Sequence, residues 1–133
     1  MKEKIKVVFD TNVLVSALWS DVGNTAEIVE LIPISIIPCF SDAILLEYTE
    51  VLNRPKFDFS EHKRNALFSQ LNEYGELHSS NKSDILLPDE SDRIFYDTAK
   101  ASGAILITGN LKHYPKELFI MTPAEFLSKL KTD

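Results

Sequence analysis

The sequence predicts an α/β fold with a mostly parallel central sheet. Three observations lead there. Short apolar, strand-like runs alternate with segments of helical period along the whole chain. Ser, Thr, Pro and Gly stand where those helices should start and stop. The chain has 133 residues, no repeat and no low-complexity segment, which is the length of one domain spanning 1–133. Alternating strands and helices are the pattern of a parallel sheet with crossover helices.

Lys6-Val7-Val8-Phe9 reads as a buried strand, followed by a helix over Val13 to Leu18. Asn24 to Leu31 has helical spacing, with Ala26, Val29 and Ile32 or Leu31 inward. Ser35 to Phe40 is a second strand, in which Pro38 suggests an edge or a bulge. Ser41-Asp42 supplies N-cap chemistry for a helix from Ala43 to Asn53, stopped by Arg54-Pro55. Ser60 caps a further helix over Glu61 to Tyr74, which Gly75 ends. Glu76 to His78 is a short strand. Asp89 or Ser91 starts a helix that runs to Ser102, with Gly103 at its end, and Ala104 to Ile107 is the next strand. Leu118 to Met121 is the last strand. Thr122-Pro123-Ala124-Glu125 then has Thr as cap, Pro at the first helical position and Glu three residues after the cap.

The composition is 44% hydrophobic and 26% charged, that of a globular protein and not of a disordered one. No apolar run reaches the ~18 residues of a membrane span, and the N-terminal residues do not read as a signal peptide. The single cysteine, Cys39, reads as a small core residue, and a reducing, cytoplasmic setting fits. With 14 basic and 20 acidic residues the net charge is −6, which excludes a simple basic coat for nucleic acid but not an enzyme that meets nucleic acid through bound metal.

In a parallel sheet the ligand site lies beyond the carboxyl ends of the strands. Asp10-Thr11-Asn12 and Thr108-Gly109-Asn110 both follow predicted strands. Each also has a plainer reading, with Asp10 or Asn12 capping the first helix and Asn110 capping a short turn. Glu47 is a mid-helix acid among apolar neighbours, whereas Glu50, one turn on, suits solvent. Asp92 lies in the first turn of its helix, where it is either a dipole contact or a metal ligand; Asp89 could assist it, and Asp97 points elsewhere. Carboxylates that converge without cations raise one another's pKa, so such a site implies hard divalent ions, Mg²⁺ or Mn²⁺. His62, His78 and His113 are scattered and show no Cys–His spacing for zinc; only His113, close after Asn110, stays open as a participant.

Val7-Val8-Phe9-Asp10-Thr11-Asn12-Val13-Leu14 resembles the opening of PIN-domain proteins. Ser41 to Glu47 with Val51 to Phe57, Asp89 to Arg93, Gly103 to Asn110 and Thr122 to Leu127 resemble the later motifs of a subgroup that contains toxin components of toxin–antitoxin systems. The resemblance spans nearly the whole chain. It implies a three-layer α/β/α sandwich and a Mg²⁺- or Mn²⁺-dependent ribonuclease, with Asp10, Glu47 and Asp92 as metal-binding acids. The fourth position, usually Asp, is Asn110, an amide that brings no charge. Asn12, Thr108 and Ser41 would orient the acids. The resemblance further implies an RNA substrate, a cognate antitoxin and a homodimer; Leu67, Phe68, Leu71 and Tyr74 offer one candidate surface. Arg54, Lys56, Lys63, Arg64, Lys112, His113 and Lys116 are the basic residues available to an RNA backbone. The alternative within the family is a non-catalytic RNA- or protein-binding module. A haloacid-dehalogenase-type phosphatase would want a second Asp at position 12, where Asn stands.

Overall fold

The computed structural model describes residues 3–132. Five strands, β1 (Ile5–Phe9), β2 (Ile36–Phe40), β3 (Glu76–Leu77), β4 (Ile105–Ile107) and β5 (Ile120–Met121), form one sheet of order β3-β2-β1-β4-β5. Every pairing is parallel. Six helices connect and follow the strands: α1 (Thr11–Trp19), α2 (Asn24–Glu30), α3 (Asp42–Leu52), α4 (Glu61–Tyr74), α5 (Arg93–Ser102) and α6 (Pro123–Thr132). Val7, Val8 and Phe9 are consecutive and all buried. Successive strand residues face opposite sides, so both faces of the sheet are covered, as in an α/β sandwich. α5 lies over β1, β2 and β4, and α4 reaches β2.

Strand order reverses at β1. The chain steps to β2 and β3 on one side of it, then crosses to β4 and β5 on the other. Such a switch point opens a crevice between the carboxyl ends of β1 and β4. The residues that follow those two strands are Asp10 and Thr108.

Most predicted starts and stops are seen in the hydrogen bonding. Ser41 Oγ accepts from Ile44 N, and Ser60 Oγ accepts from Lys63 N. Thr122 and Glu125 form a reciprocal capping box, with N–H to side-chain oxygen distances of 2.9 and 3.2 Å. Gly103 closes α5 in the left-handed region at φ +67°.

Five expectations need correction. Gly75 follows α4 at φ −92°, not in a left-handed cap. The glycine is there for space: a Cβ would meet Leu71 O and the Phe40 ring at 2.4 Å, and Pro38 O at 2.9 Å. Pro38 does not mark an edge, because β2 lies between β1 and β3. β3 is so short that it pairs only with Cys39 and Phe40, so the proline interrupts no ladder on that side. The last strand covers Ile120–Met121 only, and Leu118 is fully exposed, because the chain turns at Glu117 to Ile120. α2 buries Ala26, with Val29 and Ile32 packed inward as expected, but it also buries Ile28, which the expected face left out. Finally, Leu67 and Leu71 of α4 are buried in the protein's own core, which uses the face proposed for a dimer.

The Gly75→Ala variant should lose about 1–3 kcal/mol of stability through overpacking between α4 and β2. Urea denaturation checks this, and an unchanged midpoint would show that the three neighbouring groups yield freely.

Candidate functional site

Asp10 occupies the N-cap position of α1, yet its side chain makes no capping bond. Its Oδ2 instead accepts from Thr108 Oγ1 and from Tyr114 Oη, both at 2.9 Å. The carboxylate is thus drawn from the end of β1 towards the end of β4. Asn12 secures the same junction, since its Oδ1 accepts from Gly109 N at 3.2 Å. Thr108 does double service: its hydroxyl donates to Asp10 and accepts from Asn110 N at 3.0 Å.

Glu47 reaches this end of the sheet from α3, where it is half-buried and accepts from Thr11 Oγ1. Burial pushes its carboxyl up, the Thr11 bond opposes this, and the Asp10 charge adds to the rise. Asp92 is buried in the 3₁₀ turn Glu90–Asp92 that leads into α5. Its carboxyl is pushed up to about 6, first by burial and next by Asp10. His113 Nδ1 lies 2.9 Å from Asp92 Oδ2. That ring opposes the rise, and apart from it the buried oxygen has no hydrogen-bond donor among the described residues. Tyr114 senses all three acids: burial raises its phenol most, then Asp10, Asp92 and, less strongly, Glu47.

One buried side chain positions the three elements that carry these acids. The Tyr48 hydroxyl of α3 donates to Phe9 O at the end of β1. Its ring stacks on Phe95 of α5, with centroids 6.4 Å apart. Asp10 follows Phe9, Glu47 precedes Tyr48, and Asp92 lies three residues before Phe95.

The other candidates are placed as follows. Asn110 begins the 3₁₀ turn Leu111–His113 without a side-chain cap, and lines a shallow depression with Asn12, Gly109 and Pro123. Ser41 is committed to capping α3. Asp89 is exposed and its side chain caps the turn before α5, accepting from Ser91 N at 3.0 Å, while its charge adds a minor push to the Asp92 carboxyl. Asp97 is apart, accepting from Ser83 N. Glu50 pairs with Arg54 at 3.0 Å in solvent, as its position suggests. Tyr114 and Thr11 are partners of the candidate acids that sequence reasoning missed. Thr11 could have been noticed as a hydroxyl beside the first acid, but no spacing marks Tyr114.

The donor set of the three acids fits a hard divalent ion, because it is all oxygen and includes a buried carboxylate oxygen with only the His113 ring beside it. It is an open set. Among the described residues, the ligand atoms of three Asp, Glu, His or Cys side chains come within 4.8 Å of one another at Cys39, Glu76 and His78, and not at Asp10, Glu47 and Asp92.

Comparison with known proteins gives three findings. The family model for the PIN domain matches residues 6–112. The chain is 31% identical to the uncharacterized protein MJ1680 of Methanocaldococcus jannaschii, over 98% of this chain and 94% of that one. Its fold is similar to a chain in the crystal structure of VapBC2 from Rickettsia felis bound to a DNA fragment from their promoter. That match has a TM-score of 0.55 at 18% identity, and covers 81% of this chain and 90% of that one.

In chelated protein, folded Asp92 keeps its proton up to about pH 6, whereas the ordinary value is 3.8. The folded state binds the proton more tightly, so this stability is fully present below 3.8 and is lost as pH rises through about 6. Thermal unfolding should therefore find Asp92→Asn more stable than the parent at neutral pH, with the difference closing on acidification. A difference that stays constant with pH would overturn this account of Asp92.

Proposed function

The chain belongs to the PIN-domain family, and from that premise we propose that it is a divalent-metal-dependent ribonuclease, the toxin of a toxin–antitoxin pair. The observation that carries the proposal is Asp92 Oδ2, a buried carboxylate oxygen opposed by the charge of Asp10 and met among the described residues only by the His113 ring. Apolar walls and two further acids make that arrangement costly in an isolated protein and favourable around a cation.

Asp10, Asp92 and Glu47 are the residues that would hold Mg²⁺ or Mn²⁺. When bound, such an ion supplies an acidified water and charge compensation at phosphorus. The rest is the work of the chain's own groups. Thr108 and Tyr114 both place their bonds on Oδ2 of Asp10, which fixes the rotation of the carboxylate and would leave Oδ1 for a cation. Thr11 orients Glu47 in the same way. Burial and the neighbouring anions keep the Tyr114 phenol protonated, so it remains a donor at any physiological pH. Asn110 adds an amide oxygen without charge, and Asn12 holds the turn that carries it. Lys112 and Lys116, exposed on either side of Tyr114, would meet RNA phosphates. The antitoxin, the homodimer and a cytoplasmic setting are carried over from the family resemblance. No helix among the described residues is long and apolar enough to cross a membrane.

Purified protein incubated with RNA and Mn²⁺ should cleave it, and Asp10→Asn should reduce the rate at least ~100-fold. Expression of the parent should arrest growth where Asp10→Asn does not. RNA binding without metal-dependent cleavage would replace the proposal with the non-catalytic module that Asn110 makes possible. Tyr114→Phe should weaken metal affinity or activity ~10–100-fold, the usual effect of losing a group that orients a ligand. Asn110→Asp should tighten Mn²⁺ binding in calorimetry; unchanged affinity would remove position 110 from the site.

A further inference from the structure

We propose that Cys39, Glu76 and His78 form a separate site for a zinc-class cation at the β2–β3 edge, apart from the carboxylates at the β1–β4 crevice. Pairing of two parallel strands creates it. Cys39 stands opposite Glu76 in register, and His78 lies two residues after Glu76, on the same side of the strand's course. His78 Nε2 is 2.9 Å from Glu76 Oε1, and Cys39 Sγ is 3.9 Å from that oxygen. One donor atom from each of the three residues lies within 4.8 Å of the others. A tetrahedral zinc ion with ordinary bond lengths sets its N···O edge at ~3.3 Å and its S···O edge at ~3.6 Å. The observed separations bracket these, so small side-chain rotations suffice.

The donor set selects the metal. A thiolate, an imidazole and one carboxylate suit zinc or cobalt and not Mg²⁺. Three protein ligands leave one position open. Access is from solvent, since Glu76 and His78 are only half-buried while Cys39 is buried behind them. In the metal-free protein the thiol is pushed up to about 11, by burial and then by Glu76, so it is protonated and gives up its proton when the cation binds. Lys6 Nζ is the local competitor, 3.2 Å from Glu76 Oε1. Its long side chain can swing into water when a dication takes its place. The ion would fasten β3, a strand of two residues, to the interior strand β2.

Cobalt(II) titration of the full chain tests this directly, without any activity readout. One equivalent should give a near-ultraviolet thiolate-to-cobalt band together with the visible bands of tetrahedral coordination. Cys39→Ser should abolish the ultraviolet band. His78→Ala, at a half-exposed position that does not endanger folding, should weaken binding at least ~10-fold. Lys6→Met should tighten it, and Asp10→Asn should leave the spectrum unchanged. Zinc should raise the melting temperature of the parent and not that of His78→Ala. A spectrum without a thiolate band overturns the proposal, as does equal affinity in the parent and His78→Ala. Loss of the spectrum in Asp10→Asn would assign the ion to the crevice instead, and would equally overturn it.

Discussion

The hydroxyl of Tyr48, buried and bonded to the carbonyl of Phe9, is the constraint on which the rest of the architecture turns. It joins the end of the central strand to α3, and its ring joins α3 to α5. Those three elements bear the acids at 10, 47 and 92. Three like charges brought together by chain geometry alone would relax apart. Here the relaxation is resisted by a packed aromatic side chain and by hydroxyl donors from Thr11, Thr108 and Tyr114. The protein holds the repulsion in place, which is what the proposed cation site would require.

The two regions proposed to bind cations differ in the origin of their order. At the crevice, positions are set by helices and strands whose starts are written in local sequence. At the β2–β3 edge they are set by register between residues nearly forty positions apart, and no local pattern announces it. The first is oxygen-only and anionic. The second mixes sulfur, nitrogen and oxygen, and contains a lysine that neutralises it in the absence of metal. Competition between the two for one ion would therefore be weak, because hard and borderline cations prefer different donors.

The helices and strands were legible because their signals are local. Ser41, Ser60, Thr122 and Gly103 act within one turn, and an apolar run such as Val7-Val8-Phe9 has few alternatives to a buried strand. The first ends of the site were legible for the same reason: Asp10 and Thr108 follow strands. What could not be read depends on packing. Gly75 was recognised as a helix stop, but the reason for it is a close approach of three groups to its α-carbon. The apolar face of α4 looked available to a partner because the sequence does not say that β2 lies beneath it. Tyr114 was invisible because its bond to Asp10 spans 104 residues.

Arg93 has been silent so far. Its guanidinium donates to the carbonyls of Ser83 and Ile85 and to the carboxylate of Glu90, at 2.6–2.9 Å. The long connection between β3 and α5 is thereby clamped to the helical turn that contains Asp92. Insertions and deletions are consequently not equivalent along this connection. Extra residues between His78 and Lys82 bulge into water and leave the clamp intact. Between Ser83 and Ile85, and again from Glu90 to Arg93, an added residue must either break the guanidinium's bonds or drag the acid with it. The tolerance of the chain to changes in loop length is first interrupted at Ser83, several residues before anything that resembles a functional motif begins.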